Sequence, residues 1–577
     1  GDLEAVMRAE GIPLFSVEHH QPAAAFDVLA FNLSAELTYT NLVNLIDLAH
    51  LPLRSADRVA GQPLVMIGGH CTYNPEPVAD FVDAVVLGDG EEVVGEITAV
   101  LAQLRDGDRR DLLVALAQIP GVYVPSLYQP IYADGALVEM RRLHPLAPAR
   151  IEKRTVADLA EWPYPRQQLV PLTEVVHDRL NVEVFRGCTR GCRFCQAGMI
   201  TRPVRERPAE QVRTMVRAGL ERTGYDEVSL TSLSTADFSG IESTVRAITA
   251  DAQTAGCGPV SVTLPSLRVD AFGVGIAAEL QRARRGGLTF APEAGTWRMR
   301  RVINKLIREE DLYAAVDAAF SQGWQRIKLY FLIGLPSETD DDTLGIAQLA
   351  RNCVQLGKKH TNRASVTVSV GGFVPKPFTP FQWFGQNTVE ELQRKINLLR
   401  DATRKMGGVQ LKWHDPKATL IEGLASRGDR RLAPVIEHVW RAGGTFQEWS
   451  EFFRLDRWLE ALEANSVDPE WYAYRHRRED EIFPWDHLSA GLHKDFLWQD
   501  WQDALAEVGL EDCRWTPCYD CGACTGYGIE HVVASAMPPA GGSQGTGQTL
   551  EPSKATVGPP VMAAVPVTLG SKPVVAL

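Results

Sequence analysis

The sequence predicts an α/β protein with a Rossmann-like N-terminal domain, a run of βα units in the middle and a helical C-terminal region. Apolar strand patterns alternate with helical patterns over residues 1–115, and six strand–helix repeats follow over residues 181–410. Strands that alternate with helices form parallel sheets. Residues 411–530 instead show helical periodicity, rich in Trp and acidic residues, and end in clustered cysteines.

The N-terminal block predicts one parallel, doubly wound sheet. Its strand patterns are Phe26–Ser34, Pro63–His70 and Ala84–Glu92, with helical patterns over 40–51 and 93–104. Ligands of such sheets bind at the carboxyl ends of the strands. Because the chain opens mid-pattern and starts at Gly rather than Met, we expect a truncated N-terminus.

Residues 116–180 predict a connector that contains a β-hairpin. The dipeptide Asp134-Gly135 lies between two alternating apolar runs, which is a strong hairpin signal. Pro-rich text follows it. We expect the connector to pack the first domain against the second.

The strand ends of the middle block carry residues that a helix–strand core does not need. Active sites of βα barrels lie at the carboxyl ends of the strands. An ordinary loop or cap role remains the alternative for each residue. The candidates are Ser232, Ser234, Arg268, Asp270, Pro292, Glu293, Gly295, Ile333, Gly334, Leu335 and Pro336.

Three cysteines in one short stretch predict a metal centre. Cys188, Cys192 and Cys195 are separated by three and then two residues. Soft thiolate ligands of this kind select iron–sulfur clusters or zinc. No fourth ligand is nearby, which indicates a coordination position left open for a substrate. A zinc knuckle or three buried thiols are the alternatives.

The stretches RGCTRGCRFCQAGM, residues 186–199, and LTFAPEAG, residues 288–295, resemble the radical S-adenosylmethionine (SAM) superfamily. Within it the chain is most similar to an uncharacterised subfamily of the cobalamin-type branch. The resemblance implies a partial (βα)6 barrel in which the three cysteines hold a [4Fe–4S] cluster. It implies that the amino and carboxylate groups of SAM bind the fourth iron, and that an electron from the cluster splits SAM into methionine and a 5′-deoxyadenosyl radical.

The same resemblance implies where SAM and a partner bind. The SAM amino group would be contacted at Ser232 and Ser234, and adenine near Ile333, Gly334 and Pro336, with Glu293 at a further strand end. An electron donor such as flavodoxin or ferredoxin is implied as a partner.

The N-terminal block resembles the cobalamin-binding domain of that branch. The DxHxxG loop that supplies a histidine to cobalt is absent, since Val17-Glu-His-His-Gln21 lacks its spacing. We therefore expect any bound cobalamin to lack a histidine ligand. A retained fold with the cofactor lost is the alternative.

The resulting interpretation is a cytoplasmic radical SAM enzyme of unknown substrate. Methyl or methylthio transfer is the leading reaction by analogy with neighbouring branches, and no RNA-binding domain supports a tRNA substrate. The rival interpretation is a non-enzymatic iron–sulfur redox sensor or scaffold.

Composition and charge limit the remaining classes. The net charge of −13, from 59 basic and 72 acidic residues, argues against binding nucleic acid through a global field. We expect no membrane span, because no stretch of about eighteen apolar residues occurs, and no secretory signal is seen. Seven of the ten cysteines are clustered, which is typical of metal ligands in a reducing cytoplasm.

Two further patterns lie around these features. A basic run after the cysteine motif predicts a solvated helix entrance or, alternatively, a patch for an electron donor or an anionic substrate; its members are Arg190, Arg193, Arg202, Arg205 and Arg207.

In the C-terminal region an aromatic stripe predicts one packed helix; its members are Phe446, Trp449, Phe452, Phe453 and Leu459.

Four more cysteines predict a second metal site. Cys513, Cys518, Cys521 and Cys524 are spaced so that four thiolates can complete one shell. We favour a second iron–sulfur cluster over zinc. Residues 531–577 are rich in Pro, Gly, Ser and Thr and predict a disordered tail.

Overall fold

A computed structural model describes residues 2–165, 168–254, 260–265, 269, 288–514, 516, 518–528 and 575–576. Within these ranges, no helix is both long enough and apolar enough to cross a lipid bilayer. Arg268, Asp270 and the helix predicted over 271–284 lie outside the described residues, as does the predicted tail except for residues 575–576.

The N-terminal sheet is built from short, deeply buried apolar strands. β1, β2 and β3 are parallel, and β4 closes one edge antiparallel to β3. The strands follow one another in chain order, so the described sheet lacks the reversal of order that forms the ligand crevice of a doubly wound fold. The strands are β1 (Val28–Asn32), β2 (Leu64–Gly68), β3 (Ala84–Val86) and β4 (Val122–Tyr123).

Helices Asp2–Glu10, Tyr39–Leu48, Glu91–Leu104 and Arg109–Leu116 belong to this domain. The connector forms the predicted hairpin, β5 (Tyr128–Ala133) and β6 (Ala136–Arg142). Asp134 and Gly135 both have positive φ, 49° and 80°, as a type I′ turn requires. A short strand, β7 (Ile151–Glu152), follows.

The middle of the chain is an open arrangement of two parallel sheets. One sheet has the order β12-β11-β8 and the other β13-β14-β15-β16, and no ladder joins β12 to β13 among the described residues. The strands are β8 (Leu180–Glu183), β11 (Glu227–Thr231), β12 (Ser261–Thr263), β13 (Leu288–Glu293), β14 (Arg326–Ile333), β15 (Ser365–Gly372) and β16 (Val409–Trp413).

A partial barrel is therefore present, with one strand more than the six predicted. β16 pairs with β15 where we expected the helical region to begin. A small antiparallel pair, β9 (Phe185–Arg186) and β10 (Arg205–Glu206), flanks the cysteine loop. The helices are Gln196–Ile200, Ala209–Thr223, Ile241–Thr254, Trp297–Val302, Glu309–Ser321, Asp340–Gly357 and Val389–Thr403.

The C-terminal region is helical, but less continuously than predicted. Its helices are Pro416–Arg427, Ala433–Arg441, Leu455–Ala464 and Lys494–Leu505, and β17 (Leu488–Ser489) pairs with β7. These helices share one apolar core with the N-terminal sheet, whereas the barrel has a core of its own. The last strand, β18 (Val575–Ala576), pairs in parallel with β1.

The aromatic stripe is not one packed helix. Trp449, Phe452 and Leu459 are 53%, 50% and 44% exposed, and the helix starts only at Leu455. The buried Gln447 side chain donates to the Phe452 carbonyl and accepts from the Trp458 indole. These bonds fold residues 447–453 into turns, which breaks the predicted helical spacing.

A buried ion pair provides a stability test of the N-terminal sheet. Asp83 accepts from Arg58 at 2.7 Å and from the β2 amide of Val65 at 2.8 Å, with both side chains inaccessible to solvent. Asp83→Asn removes the carboxylate that pairs with this buried guanidinium. We therefore expect the free energy of unfolding, measured in urea, to fall by about 3 kcal/mol. Arg141→Gln, which removes the exposed pair with Glu139, should change little. An equal effect of the two substitutions would contradict this account.

Candidate active site

The three predicted metal-binding cysteines lie in a loop whose path depends on glycine. Gly187 has φ 93°, and a Cβ there would lie 2.4 Å from the Pro203 carbonyl oxygen. The loop ends at Cys195, whose sulfur caps the helix Gln196–Ile200 by accepting from the Gly198 amide at 3.3 Å. A Cβ on Gly198 would lie 3.4 Å from Cys195 Sγ and 3.8 Å from Cys188 Cβ. Cys188 and Cys195 therefore lie together on one side of the loop.

Burial raises the pKa of Cys188 and of Cys195, which favours the thiol form of both. Burial raises the pKa of Cys195 to about 12; the neighbouring Cys192 adds to this and the Gly198 amide opposes it. Metal binding must therefore release protons. Among the described residues, no three His, Cys, Asp or Glu side chains converge on a single ion. A cluster does not require such convergence, because its thiolates bind different irons.

A cavity of about 700 Å³, the thiol-side cavity, adjoins Cys195. The cysteine loop contributes Phe194–Ala197, and β14 contributes Tyr330 and Leu332. The N-terminal domain closes the opposite side with Ser34–Leu37 and His70. The cavity thus lies between the cysteine loop, the barrel strand ends and the first domain.

A second cavity of about 890 Å³, the interdomain cavity, lies between the N-terminal sheet and the barrel sheet that contains β8 and β11. The barrel lines it with the ends of β8, β9 and β11, and the first domain with Gly88–Glu91. His70 lines both cavities. The carboxyl ends of strands in the N-terminal sheet and in the barrel therefore face the interdomain cavity, where the sequence predicts ligand binding.

The structure separates the two predicted serines. Ser232 lines the interdomain cavity, and its hydroxyl donates to Thr235 Oγ1 at 3.0 Å. Ser234 is buried and lines neither cavity; its hydroxyl donates to Asp237 Oδ2 at 2.6 Å. Asp237 in turn pairs with Arg190 of the cysteine loop, so Ser234 supports that loop.

Glu293 adopts an uncommon backbone conformation at the end of β13. Its φ is 66°, which is rare for a residue with a side chain and is found at functional sites. The buried carboxylate pairs with Lys305 at 3.1 Å. Burial raises the pKa of Tyr330, with a further contribution from Glu293, so this pair lies near the wall of the thiol-side cavity.

The predicted adenine region forms a buried turn. Ile333, Gly334 and Pro336 are buried and line neither cavity. The Gly334 amide donates to Glu338 at 2.6 Å, and Glu338 pairs with the buried Lys395 at 2.6 Å. This turn holds the end of β14 against the helix Val389–Thr403.

The basic run is not a solvated helix entrance, so that interpretation is wrong, whereas the role in receiving an electron donor or an anionic substrate stays a prediction. Arg193, Arg202, Arg205 and Arg207 are buried. Arg205 pairs with Asp89 of the first domain at 2.6 Å, and Arg193 pairs with Asp500 of the C-terminal region at 2.8 Å. The run joins the three regions of the chain, and its partners lie too far away in sequence to be recognised there.

Other cavity residues were missed by sequence reasoning. Lys376 is half-buried between Glu36 and Glu422, at 2.6 and 2.9 Å. Tyr330 and His414 form an edge-to-face pair in the same thiol-side cavity. No local motif marks any of them, because the three members of the ionic group come from distant segments.

The C-terminal cysteines lie against the first cysteine loop. Cys521 Sγ accepts from Arg202 Nη1 at 3.5 Å, and Cys513 Sγ lies 4.0 Å from the Thr189 carbonyl oxygen. Cys518 is exposed, whereas Cys513, Cys521 and Cys524 are half-buried. The two cysteine sets therefore approach each other in space.

Two family descriptions match the chain. Residues 1–125 match "Radical SAM proteins, N-terminal" and residues 182–350 match "Radical SAM superfamily". The second range contains the cysteine loop and Glu293. The chain belongs to the radical SAM superfamily. Its N-terminal sheet is thus an accessory domain that accompanies a radical SAM core.

Similar proteins span most of this radical SAM chain. The uncharacterized protein MJ0966 of Methanocaldococcus jannaschii is 26% identical over 460 residues, covering 79% of this chain and 90% of the relative. The radical SAM methyltransferase TsrM of Kitasatospora setae, solved with cobalamin and a [4Fe-4S] cluster, is 13% identical with a TM-score of 0.44, over 76% of this chain and 88% of that one. The cobalamin-dependent enzyme OxsB, solved with aqua-cobalamin and SAM, is 11% identical with a TM-score of 0.43, over 83% and 71%.

The glycine before the first cysteine offers a test of the loop. Gly187→Ala adds about 1 to 2 kcal/mol of left-handed strain and a collision with the Pro203 backbone. We expect severalfold less iron after anaerobic reconstitution, although every thiol remains. Gly224→Ala also has positive φ but meets nothing within 4 Å, so it should keep its iron. Equal iron in both variants would contradict the proposed role of the loop.

Proposed function

We propose that this protein is a radical SAM enzyme that binds a [4Fe–4S] cluster at Cys188, Cys192 and Cys195 and cleaves SAM reductively beside it. The observation that carries the proposal is the thiol-side cavity, which adjoins Cys195 and is lined by both the barrel and the first domain. A ligand in this cavity can reach an iron that no cysteine holds. When bound, the cluster supplies the electron that breaks the sulfonium–C5′ bond of SAM.

The chain's own residues bind and orient SAM in this proposal. Lys305 acts electrostatically on Cys195 and pairs with Glu293, although neither residue lines the thiol-side cavity. Their opposite charges would suit the carboxylate and amino groups of SAM. Ser232 lies at a neighbouring strand end, where its hydroxyl lines the interdomain cavity and not the thiol-side cavity. A further set of buried residues does not contact SAM in this proposal but fixes the strand ends; its members are Ser234, Ile333, Gly334 and Pro336.

The closed cavity favours an enzyme over a redox sensor or scaffold. A sensor needs the three thiolates and an exposed surface, but no internal space beside the cluster. Residues of the first domain line both cavities, so the accessory domain adds walls beside the position where a radical would form. Methyl or methylthio transfer remains the favoured reaction class. A cytoplasmic location and a one-electron donor such as flavodoxin or ferredoxin complete the proposal.

The interdomain cavity is the place for cobalamin, if this chain uses it. It lies at the carboxyl ends of β2 and β3, where sheets of this kind bind ligands. At about 890 Å³ it is near the upper end of the usual range for ligand pockets. Its lining is strongly ionic, with Lys153, Arg154, Arg186 and Arg205 facing Asp89, Glu91 and Glu183. These residues fit a large polar ligand, and no step of the proposed reaction depends on it.

SAM cleavage is the direct test of the proposed function. Anaerobically reconstituted protein with SAM and dithionite should release 5′-deoxyadenosine, and SAM should change the electron paramagnetic resonance spectrum of the reduced cluster. Cys192→Ala should abolish both, because two thiolates cannot retain the cluster. Cys353→Ala, which removes a buried thiol on the helix Asp340–Gly357, should retain both. Undiminished cleavage by Cys192→Ala would end the proposal.

The cobalamin assignment has a separate test. Protein from cobalamin-supplied cells should carry cobalt without a nitrogen ligand from the chain, because no DxHxxG loop is present. His70 is the histidine to check, since it lines the cavity and burial lowers its pKa. His70→Ala should leave the cobalt spectrum unchanged. A nitrogen coupling that disappears in this variant, or no cobalamin at saturating supply, would contradict the assignment.

A further inference from the structure

Arg202 is a buried cation that lies between the two cysteine sets. Its side chain is almost fully inaccessible, at 2% exposed, and Nη1 donates to Cys521 Sγ at 3.5 Å. On the other side, Nη2 would lie 3.5 Å from a Cβ on Gly191. Gly191 directly precedes Cys192, so the guanidinium touches the first cysteine loop and the second cysteine segment at once.

The charge of Arg202 is poorly compensated by carboxylates. Asp500 acts on it, but the Asp500 carboxylate is already bonded to the buried Arg193 at 2.8 Å. The buried Lys153 amine donates to the Arg202 carbonyl at 2.6 Å, and burial lowers the pKa of Lys153 to about 7, so it supplies no counter-charge to Arg202. A buried charge is costly unless it is paired. Metal-bound thiolates on either side of Arg202 would supply the missing negative charge.

The segment before Cys513 is fastened to the first cysteine loop. Arg193 donates to the Val508 carbonyl at 2.6 Å. Asn304 accepts from the Leu510 amide at 2.8 Å and donates to the Gly191 carbonyl at 3.0 Å. One asparagine thus joins the two segments, and the position of Cys513 beside Thr189 follows from these contacts.

The segment of Cys521 and Cys524 is held equally firmly. The His493 amide donates to the Cys521 carbonyl at 3.0 Å. Gly522 has φ 93°, and a Cβ there would lie 2.8 Å from the Gly491 carbonyl oxygen. The next residue, Ala523, is fully buried. This turn fixes the backbone between Cys521 and Cys524 at the position where Cys521 accepts from Arg202.

We propose that Cys513, Cys518, Cys521 and Cys524 hold a second iron–sulfur cluster, positioned beside the first across the buried Arg202. Four thiolates can occupy all four corners of a [4Fe–4S] cluster, so no iron is left open for SAM. Arg202 is a positioning residue that offers a charged hydrogen bond to Cys521. Only the reference to a neighbouring cluster rests on the proposed function.

Metal content distinguishes the second site from the first. The full chain with Cys188, Cys192 and Cys195 all changed to Ala should still bind about four irons with acid-labile sulfide, the content of one cluster. Cys521→Ala/Cys524→Ala should lose that cluster and keep the SAM-sensitive spectrum of the first. Cys353→Ala should keep both. Zinc without labile sulfide, or no metal in the triple variant, would overturn the proposal and leave the first site unaffected.

Arg202 gives a second readout. Positive charge and hydrogen bonds to a cluster thiolate raise its reduction potential. In the triple variant, Arg202→Gln should therefore shift the potential of the remaining cluster to a more negative value, and Arg202→Lys should restore most of the difference. Equal potentials in the three proteins, or Gln and Lys acting alike, would refute the position assigned to Arg202.

Discussion

Burial of the arginines around the cysteine loop is the constraint on which the rest of the structure depends. Arg205 reaches Asp89 in the first domain, and Arg193 reaches Asp500 in the C-terminal region. Each pair is shielded from water, so breaking one leaves a charge that cannot be solvated. The loop is therefore fixed from both sides by these pairs, in addition to the turn at Gly187.

The same contacts explain why the two cavities lie where they do. The first domain and the C-terminal helices share one core, while the barrel has another. The cysteine loop lies at the junction, since Met199 and Ile200 of its helix belong to the shared core. Space remains on both sides of this helix, and His70 at the end of β2 contributes to each cavity. An accessory domain thus completes the walls that the open barrel lacks.

Charge is distributed unevenly around the two cysteine sets. On the side of Cys195, Lys305 and Glu293 balance each other. On the side of Cys521, the buried Arg202 donates to a thiol sulfur, and Asp500, which acts on Arg202, is already paired with Arg193. Anionic metal–thiolate groups suit the second environment particularly well, because low polarity strengthens every charge interaction within it.

Local sequence determined the elements and the first cysteine motif. The Asp134-Gly135 hairpin, the parallel strands of both domains and the loop of Cys188, Cys192 and Cys195 depend on periodicity and on turn residues, which neighbouring residues encode. The strand-end candidates were also readable, because parallel strands bring their carboxyl ends to one edge.

Only the tertiary structure decided which of these residues face a cavity and which are held in buried hydrogen bonds or ion pairs. Ser232 and Ser234 are two residues apart, yet one lines a cavity and the other supports Arg190 through Asp237. The basic run looked solvated, because the carboxylate partners of Arg193 and Arg205, namely Asp500 and Asp89, lie more than a hundred residues away. The extra strand β16 and the turns around Gln447 depend on pairing and hydrogen bonds with distant or buried groups. Such long-range electrostatics and packing leave no periodic trace in the sequence, and they become visible only when the chain is folded.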